Sequence, residues 1–264
     1  MSGATVVSAF YPMPASRHSL TNYKKWMRLF FESVPCYLVF FCEEDLVEFV
    51  TDCRRAVLDK THIVVLSRSE FRATTAFSSD FWLRQFYMDP DIDIHSEDMY
   101  KVWYEKKEFV LRAISLNPFE HKYFVWADAG ILRDPLAVQW SVEFPLLDRI
   151  PEKKMLLLSV KPFTDLDREV VRLNGISLRG GNQDSTRVGA GVMAARFDVW
   201  SKWSAAYDVI LDKYTRMGFF CGKEQTIMNS ICLEYPGLIL LKTTNPIEPW
   251  RYLLYYLGSK KFMY

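Results

Sequence analysis

Phe124–Val125–Trp126–Ala127–Asp128–Ala129–Gly130–Ile131 is the stretch on which the reading of this chain turns. Four apolar residues, too few for a helix, run into one acid, and two small residues come after it. That is the pattern of a buried central strand whose carboxyl end carries a charge. An Asp at such an edge can ligate a divalent cation bridging a nucleotide diphosphate, with Ala129 and Gly130 letting a ligand approach the backbone. It can equally start a turn or cap the next element.

Outward from this segment, short β-rich runs alternate with longer helical patterns, which predicts an α/β layer fold around a mostly parallel sheet. The strands are expected at Ala4–Ala9, Tyr37–Phe41, His62–Leu66, Lys122–Ala127, Met155–Val160, Val188–Ala194 and Leu238–Lys242. Helices are expected at Leu20–Ser33, Asp45–Asp59, Glu97–Leu116, Phe197–Arg216 and Lys223–Glu234, with a last one from Ile247 to Leu257. In Phe197–Arg216 the residues Trp200, Trp203, Tyr207, Ile210, Leu211 and Tyr214 form an apolar stripe, which makes both tryptophans core residues first and sugar-stacking surfaces second. In Glu97–Leu116 the stripe is Val102, Trp103, Phe109, Val110, Ala113 and Ile114. At about 100° per residue, Lys106 falls near its middle and Lys107 on its edge. A lysine aimed into an apolar face either snorkels out or sits under a cleft and meets an anion.

The whole chain narrows the function classes. Lys+Arg 33 against Asp+Glu 32 leaves a net charge of +1, without the bulk signature of a nucleic-acid binder. No apolar run approaches the roughly 20 residues of a membrane span, and the first residues lack a basic leader region. Five scattered cysteines with no CxxC pair read as reduced, buried small hydrophobes, so a cytoplasmic-type protein is expected. There is no GxGxxG, no GxxxxGK[ST], no GxSxG and no metal-ligand spacing among the four histidines. Dinucleotide dehydrogenases, P-loop NTPases and Ser-His-Asp hydrolases are disfavoured. The segment from Asp165 to Arg187, with Asn174–Gly175 and Gly180–Gly181, reads as a long functional loop.

Two later segments can carry chemistry. Arg187–Val188–Gly189–Ala190–Gly191–Val192 places glycines inside a strand pattern, a sign of a bulge or of close approach by ligand or backbone. Gly222–Lys223–Glu224–Gln225 opens the next helix, where Glu224 either complements the helix dipole or serves as a general base in a cleft.

With these segments in order, the chain resembles a known family. Thr5–Phe10 through Arg17, the run His95, Ser96, Tyr100, Lys101, Val102, Trp103, Glu105 and Lys106, then Asn117–Pro118–Phe119 and Phe124–Gly130, look like the HtrL/YibB family. Its members, from bacteria and large viruses, are similar to GT-A-fold glycosyltransferases. The likeness is specific over residues 5 to 130 and holds at fold level beyond. It implies one GT-A-like domain over residues 1–264, with a nucleotide-sugar half at 1–134 and an acceptor half at 135–264. Ser8, Ala9 and Phe10 would flank the base and ribose, with Arg17 nearby, and Lys106 would reach the donor phosphates. Asp128 matches the first carboxylate of the DxD motif and would hold Mn²⁺ or Mg²⁺; Gly130 stands where the second would be. Gly191 matches the acceptor-side strand and Glu224 the base, with Asp184 in reserve.

The expected activity is transfer of a sugar from a nucleotide-sugar, UDP-linked first, to a hydroxyl of a glycan or glycoprotein. A carboxylate base implies direct displacement with inversion. Xylosyl or galactosyl transfer to a surface or capsid glycan is the specific form, in the host cytoplasm for a viral chain. Trp200, Trp203 and Trp250 are candidate stacking surfaces. The alternatives are a degenerate nucleotide- or glycan-binding protein, which Gly130 favours, and a nucleotidyltransferase. The family's late histidine ligand is missing, because His121 is the last histidine. Lys260 and Lys261 would then bind diphosphate, or form a solvated basic end.

Overall fold

The computed structural model describes residues 3–13, 16, 18–165, 167–168, 186–243 and 249–262. Seven strands form one sheet in the order β3-β2-β1-β4-β6-β5-β7. They are β1 (Ala4–Ala9), β2 (Tyr37–Cys42), β3 (Thr61–Val65), β4 (Tyr123–Ala127), β5 (Met155–Ser159), β6 (Val188–Arg196) and β7 (Ile239–Thr243). Every expected strand is present within two residues of its expected ends. β6 runs antiparallel to both its neighbours, β4 and β5, and the other pairings are parallel. The mixed, mostly parallel sheet flanked by helices is therefore the architecture that the sequence predicts, in a single domain.

Alternation along the strands feeds two cores. Val7 and Ala9 of β1 face one side, with Trp126, Trp200, Trp203 and Tyr214, while Ala4 and Val6 face the other, with Phe30, Phe31 and Phe144. The helices are α1 (Leu20–Ser33), α2 (Val47–Cys53), α3 (Arg72–Thr75), α4 (Ser79–Met88), α5 (Glu97–Leu116), α6 (Phe197–Arg216), α7 (Glu224–Glu234) and α8 (Tyr252–Gly258). α5 occupies the expected span. Ser96 caps it by accepting from the Met99 amide, Glu97 and Asp98 complement its dipole, and it ends on Asn117 in the left-handed region at φ 34°.

Helical expectations change at three places, one of them the last helix, expected from Ile247, where a 3₁₀ turn at Pro249–Arg251 leads into an α-helix only from Tyr252. The helix expected over 45–59 stops at Cys53 and continues as a 3₁₀ turn from Arg55 to Lys60. Arg54 is the cause: its fully buried guanidinium donates to Phe31 O, Val34 O and Cys36 O at 3.1, 2.8 and 2.6 Å, carbonyls left over where α1 gives way to β2. α4 was not expected, since its aromatic residues lie too densely for a clean stripe. It forms on a Ser78 cap, and Trp82 anchors it through Nε1 to Ala73 O at 2.9 Å. All five cysteines are buried and free, as expected. Among the described residues no helix is long and apolar enough to cross a membrane.

Candidate functional site

Strand order reverses between β1 and β4: β2 and β3 continue to one side of β1, and β4 lies on the other. Loops leaving two such strands diverge, and the crevice at their carboxyl ends is where open α/β sheets take ligands. A cleft of about 560 Å³ lies there, within the range that encloses a small-molecule ligand. Its walls come from the chain after β1, the start of α1, one face of α5, the segment after β4, the first residues of β6 and of α7, and Trp250–Arg251. Because β6 is antiparallel, its beginning rather than its end meets the carboxyl edge of β4. The pair Ala127–Val192 thus puts Gly191 beside Asp128, whose amide donates to Gly191 O at 2.9 Å.

At the floor of the cleft stands Lys106, whose side chain is 7% exposed. Of the two fates open to a lysine in an apolar stripe, it takes the second, and the anions it meets belong to the protein. Its Nζ lies 2.7 Å from Glu224 Oε1, 3.0 Å from Asp128 Oδ1 and 3.4 Å from Ala190 O, which engages all three of its donors. Trp126 underlies it, the ring centroid 5.6 Å from Nζ, and donates Nε1–H to the same Asp128 Oδ1 at 2.9 Å. Burial alone would lower the Lys106 ammonium, but Asp128 and Glu224 outweigh it and hold the group above the ordinary lysine range. Glu224 is buried in the first turn of α7. Burial pushes its carboxyl up to about 7 against the pull of Lys106, and the charge of Asp128 adds to the rise.

The expected site residues divide. Ala9, Phe10, Lys106, Asp128, Gly130, Gly191 and Glu224 all line the cleft, as does Trp250, which is half exposed. Ser8 does not. Its side chain alternates to the opposite face of β1 from Ala9, and its Oγ is buried without a hydrogen-bond partner. Trp200 is a correction of the acceptor-side expectation: it is fully buried, with Nε1 donating to Phe124 O at 2.9 Å, so no face of it reaches a ligand. Trp203 is equally buried. Arg17 and Asp184 lie outside the described residues, as does most of the loop expected between Asp165 and Arg187. Lys260 and Lys261 are not among the lining residues.

Other lining residues are given no site role by the sequence. Arg133 donates to Gly130 O at 3.0 Å and stacks over Trp26 at 4.0 Å, and Arg251 closes the far side. Gln225 comes after Glu224 into the cleft, and its buried Oε1 has no partner. Tyr23, Trp103 and Trp126 add flat walls to Phe10 and Trp250.

Whether the cleft fits Mn²⁺ or Mg²⁺ depends on its donors. A hard divalent cation needs about six oxygen ligands, commonly with more than one carboxylate. Here Asp128 has one oxygen already engaged by Trp126 and Lys106, and the ammonium stands between it and Glu224. A Cβ at Gly130 would come within 3.2 Å of Tyr23 and 3.3 Å of Trp26, so a side chain there would have to push these rings aside by a few tenths of an ångström, and the glycine itself offers no second carboxylate. The residues do not fit the cation. Elsewhere, Asp89, Asp91 and His95 bring ligand atoms within 4.8 Å of one another. They are engaged in structure: Asp89 Oδ2 is 2.8 Å from His95 Nδ1 and accepts from Tyr100 Oη at 2.6 Å, and Asp91 lies 3.7 Å from Lys223 Nζ.

Comparison with protein-family models finds no match, and neither does comparison with curated proteins. Among solved structures the chain is similar to mouse xyloside xylosyltransferase 1 in its apo form. The two share 12% identity over 91% of this chain and 84% of that one, with a TM-score of 0.47.

Proposed function

We propose that the protein is a GT-A-like glycosyltransferase that moves a sugar from a nucleotide-sugar to a hydroxyl of a glycan. The observation that carries this reading is the triad at the cleft floor: one ammonium held between a strand-end carboxylate and a second carboxylate that titrates near neutral pH. Sugar transfer asks for both parts. The leaving diphosphate needs positive charge, and the acceptor hydroxyl needs a base.

In the proposed reaction the nucleotide lies at the carboxyl end of β1, against Ala9 and Phe10, with its diphosphate over Lys106. The acceptor oxygen attacks the anomeric carbon from the Gly191 and Glu224 side. Its proton passes to the Glu224 carboxylate as the bond from the anomeric carbon to the phosphate oxygen breaks. The electron pair leaves with the nucleoside diphosphate. One displacement of this kind inverts the anomeric centre. Asp128 holds Lys106 and faces the reacting groups through its second oxygen. Trp250 and Trp103 offer flat apolar surface to sugar rings.

The test is release of free nucleoside diphosphate from UDP-, GDP- and dTDP-sugars, with a glycan acceptor present. Release from one donor, lost in Asp128→Ala, is the expected result. Gly130 in place of a second carboxylate favours a second reading, ligand binding without turnover. Thermal stabilisation by a donor with no release would select it.

A further inference from the structure

We infer that this cleft binds its diphosphate without a divalent cation, with the Lys106 ammonium standing in the cation's place. The inference rests on the donor reading of the cleft and deepens it.

Three observations carry it. Lys106 Nζ is within hydrogen-bond distance of one oxygen from each cleft carboxylate, at 3.0 Å from Asp128 and 2.7 Å from Glu224. A cation binding both would have to displace the ammonium from a site that satisfies all its donors. The position two residues after Asp128, from which a second ligand would come, is Gly130, packed against Tyr23 and Trp26. Restoring an acid there pushes into aromatic rings rather than open space. Finally, cationic side chains come to the described lining from three separate segments, Lys106, Arg133 and Arg251. A diphosphate entering the cleft therefore has cationic groups of the protein itself within the lining.

Lys106 can engage the phosphate without abandoning either acid. Of its three contacts the one to Ala190 O, at 3.4 Å, is the longest and at the outer limit for a hydrogen bond. A phosphate oxygen replacing that carbonyl gains a charge-assisted bond in a partly dry site. As the leaving bond breaks, charge grows on the diphosphate oxygen facing Lys106. The ammonium donates a hydrogen bond to it and keeps its proton, so the proton balance of the transfer is carried by Glu224 alone.

The experiment is calorimetric titration of the wild-type chain with UDP, GDP and dTDP, each in EDTA and in Mn²⁺. One nucleotide should bind with an affinity that differs by no more than about twofold between the two conditions, a difference of about 0.4 kcal/mol. In Lys106→Met the affinity in EDTA should fall by about tenfold or more. Mn²⁺ should restore part of it, because Asp128 and Glu224 are then free to take a metal. Lys106→Arg keeps the charge and should keep binding in EDTA, which separates loss of charge from loss of fold. Wild-type binding that appears only with Mn²⁺ would overturn the inference and leave the donor reading intact. No binding of any nucleotide in either condition would overturn the donor reading, and the inference with it.

Discussion

Lys106 and Lys107 are neighbours on one helix, both buried, and they do different work. Lys106 turns to the sheet and ends between Asp128 and Glu224, two acids that line the cleft. Lys107 turns away, toward α6. It pairs with Glu108, lies 3.0 Å from Asp208 and 3.4 Å from Ser204 Oγ, and sits over the Tyr104 and Tyr207 rings at 4.3 and 5.6 Å. None of those partners touches the cleft. Both ammonium groups are held above the ordinary lysine range, burial being outweighed by neighbouring carboxylates, with Tyr104 added for Lys107. A raised lysine is therefore not by itself the mark of a site. What separates the two is whether the partner acids have another face open to a ligand.

The sharpest way to break this comparison is to neutralise each lysine in turn. Lys106→Met should lower donor turnover by about 10²–10³, the usual cost of removing one preorganised charge from a leaving-group site. Lys107→Met should leave turnover unchanged and lower stability by about 1 kcal/mol, since Glu108 keeps Arg72 at 3.6 Å and Asp208 is half-exposed to water. Donor release and urea unfolding on both variants check the pair. If Lys107→Met also lost turnover while still folded, the division of labour between the two would be wrong.

Much of that division was legible in the sequence alone. The angular position of Lys106 in the stripe of Glu97–Leu116 put it on the apolar face, to snorkel out or to meet an anion under a cleft, and Lys107 at the edge, because helical geometry is local and regular; the choice between the two fates took the tertiary structure. The strands were equally legible, since the central ones, buried on both faces, read as short, mostly apolar runs between turn residues. Direction was not. Nothing local in Val188–Arg196 says that it runs antiparallel, yet that reversal is what brings Gly191 to Asp128. Trp200 shows the opposite case. Its stripe already read as core, and carrying it over as an acceptor surface set a fold-level likeness above the periodicity. Arg133, Arg251 and Gln225 could not have been found, because each matters only where segments distant in sequence converge. Arg54 likewise ends a helix for a tertiary reason, the spare carbonyls of another element.

A second comparison, between two buried acids, gives a smaller effect. Glu105 and Glu224 are both pushed up to about 7, burial outweighing the Arg72 and Ala73 amides for the first and Lys106 for the second. Only Glu224 reaches the cleft. As the base it must be ionised, so turnover should fall about tenfold for each pH unit below 7 and level off above it. Glu224→Gln should abolish that limb, and Glu105→Gln should leave it. Stability behaves differently. An acid whose folded value is raised above its ordinary 4.5 stabilises fully below that value, and the contribution is lost as pH rises through about 7. Urea unfolding at pH 5 and pH 8 should show each Gln variant removing part of the same slope, with the rate limb tracking Glu224 alone.

The smallest effect concerns Gln225 beside Glu224. A buried carbonyl oxygen with no partner is a cost to the free protein, and it persists where a ligand group completes it. A hydroxyl of donor or acceptor sugar is the group that fits, since it can donate to Oε1 in a cleft already lined by flat apolar walls. Gln225→Leu removes the unmet acceptor and the bond to the sugar together. The free protein should then be as stable as wild type or slightly more so. Sugar affinity should fall by about 1 kcal/mol, roughly fivefold, the net worth of one neutral hydrogen bond. Nucleotide binding, which does not involve that bond, should be unchanged. Titration with the nucleotide-sugar and with the bare nucleotide separates the two terms: an equal loss for both would move Gln225 from the sugar to the nucleotide end of the cleft.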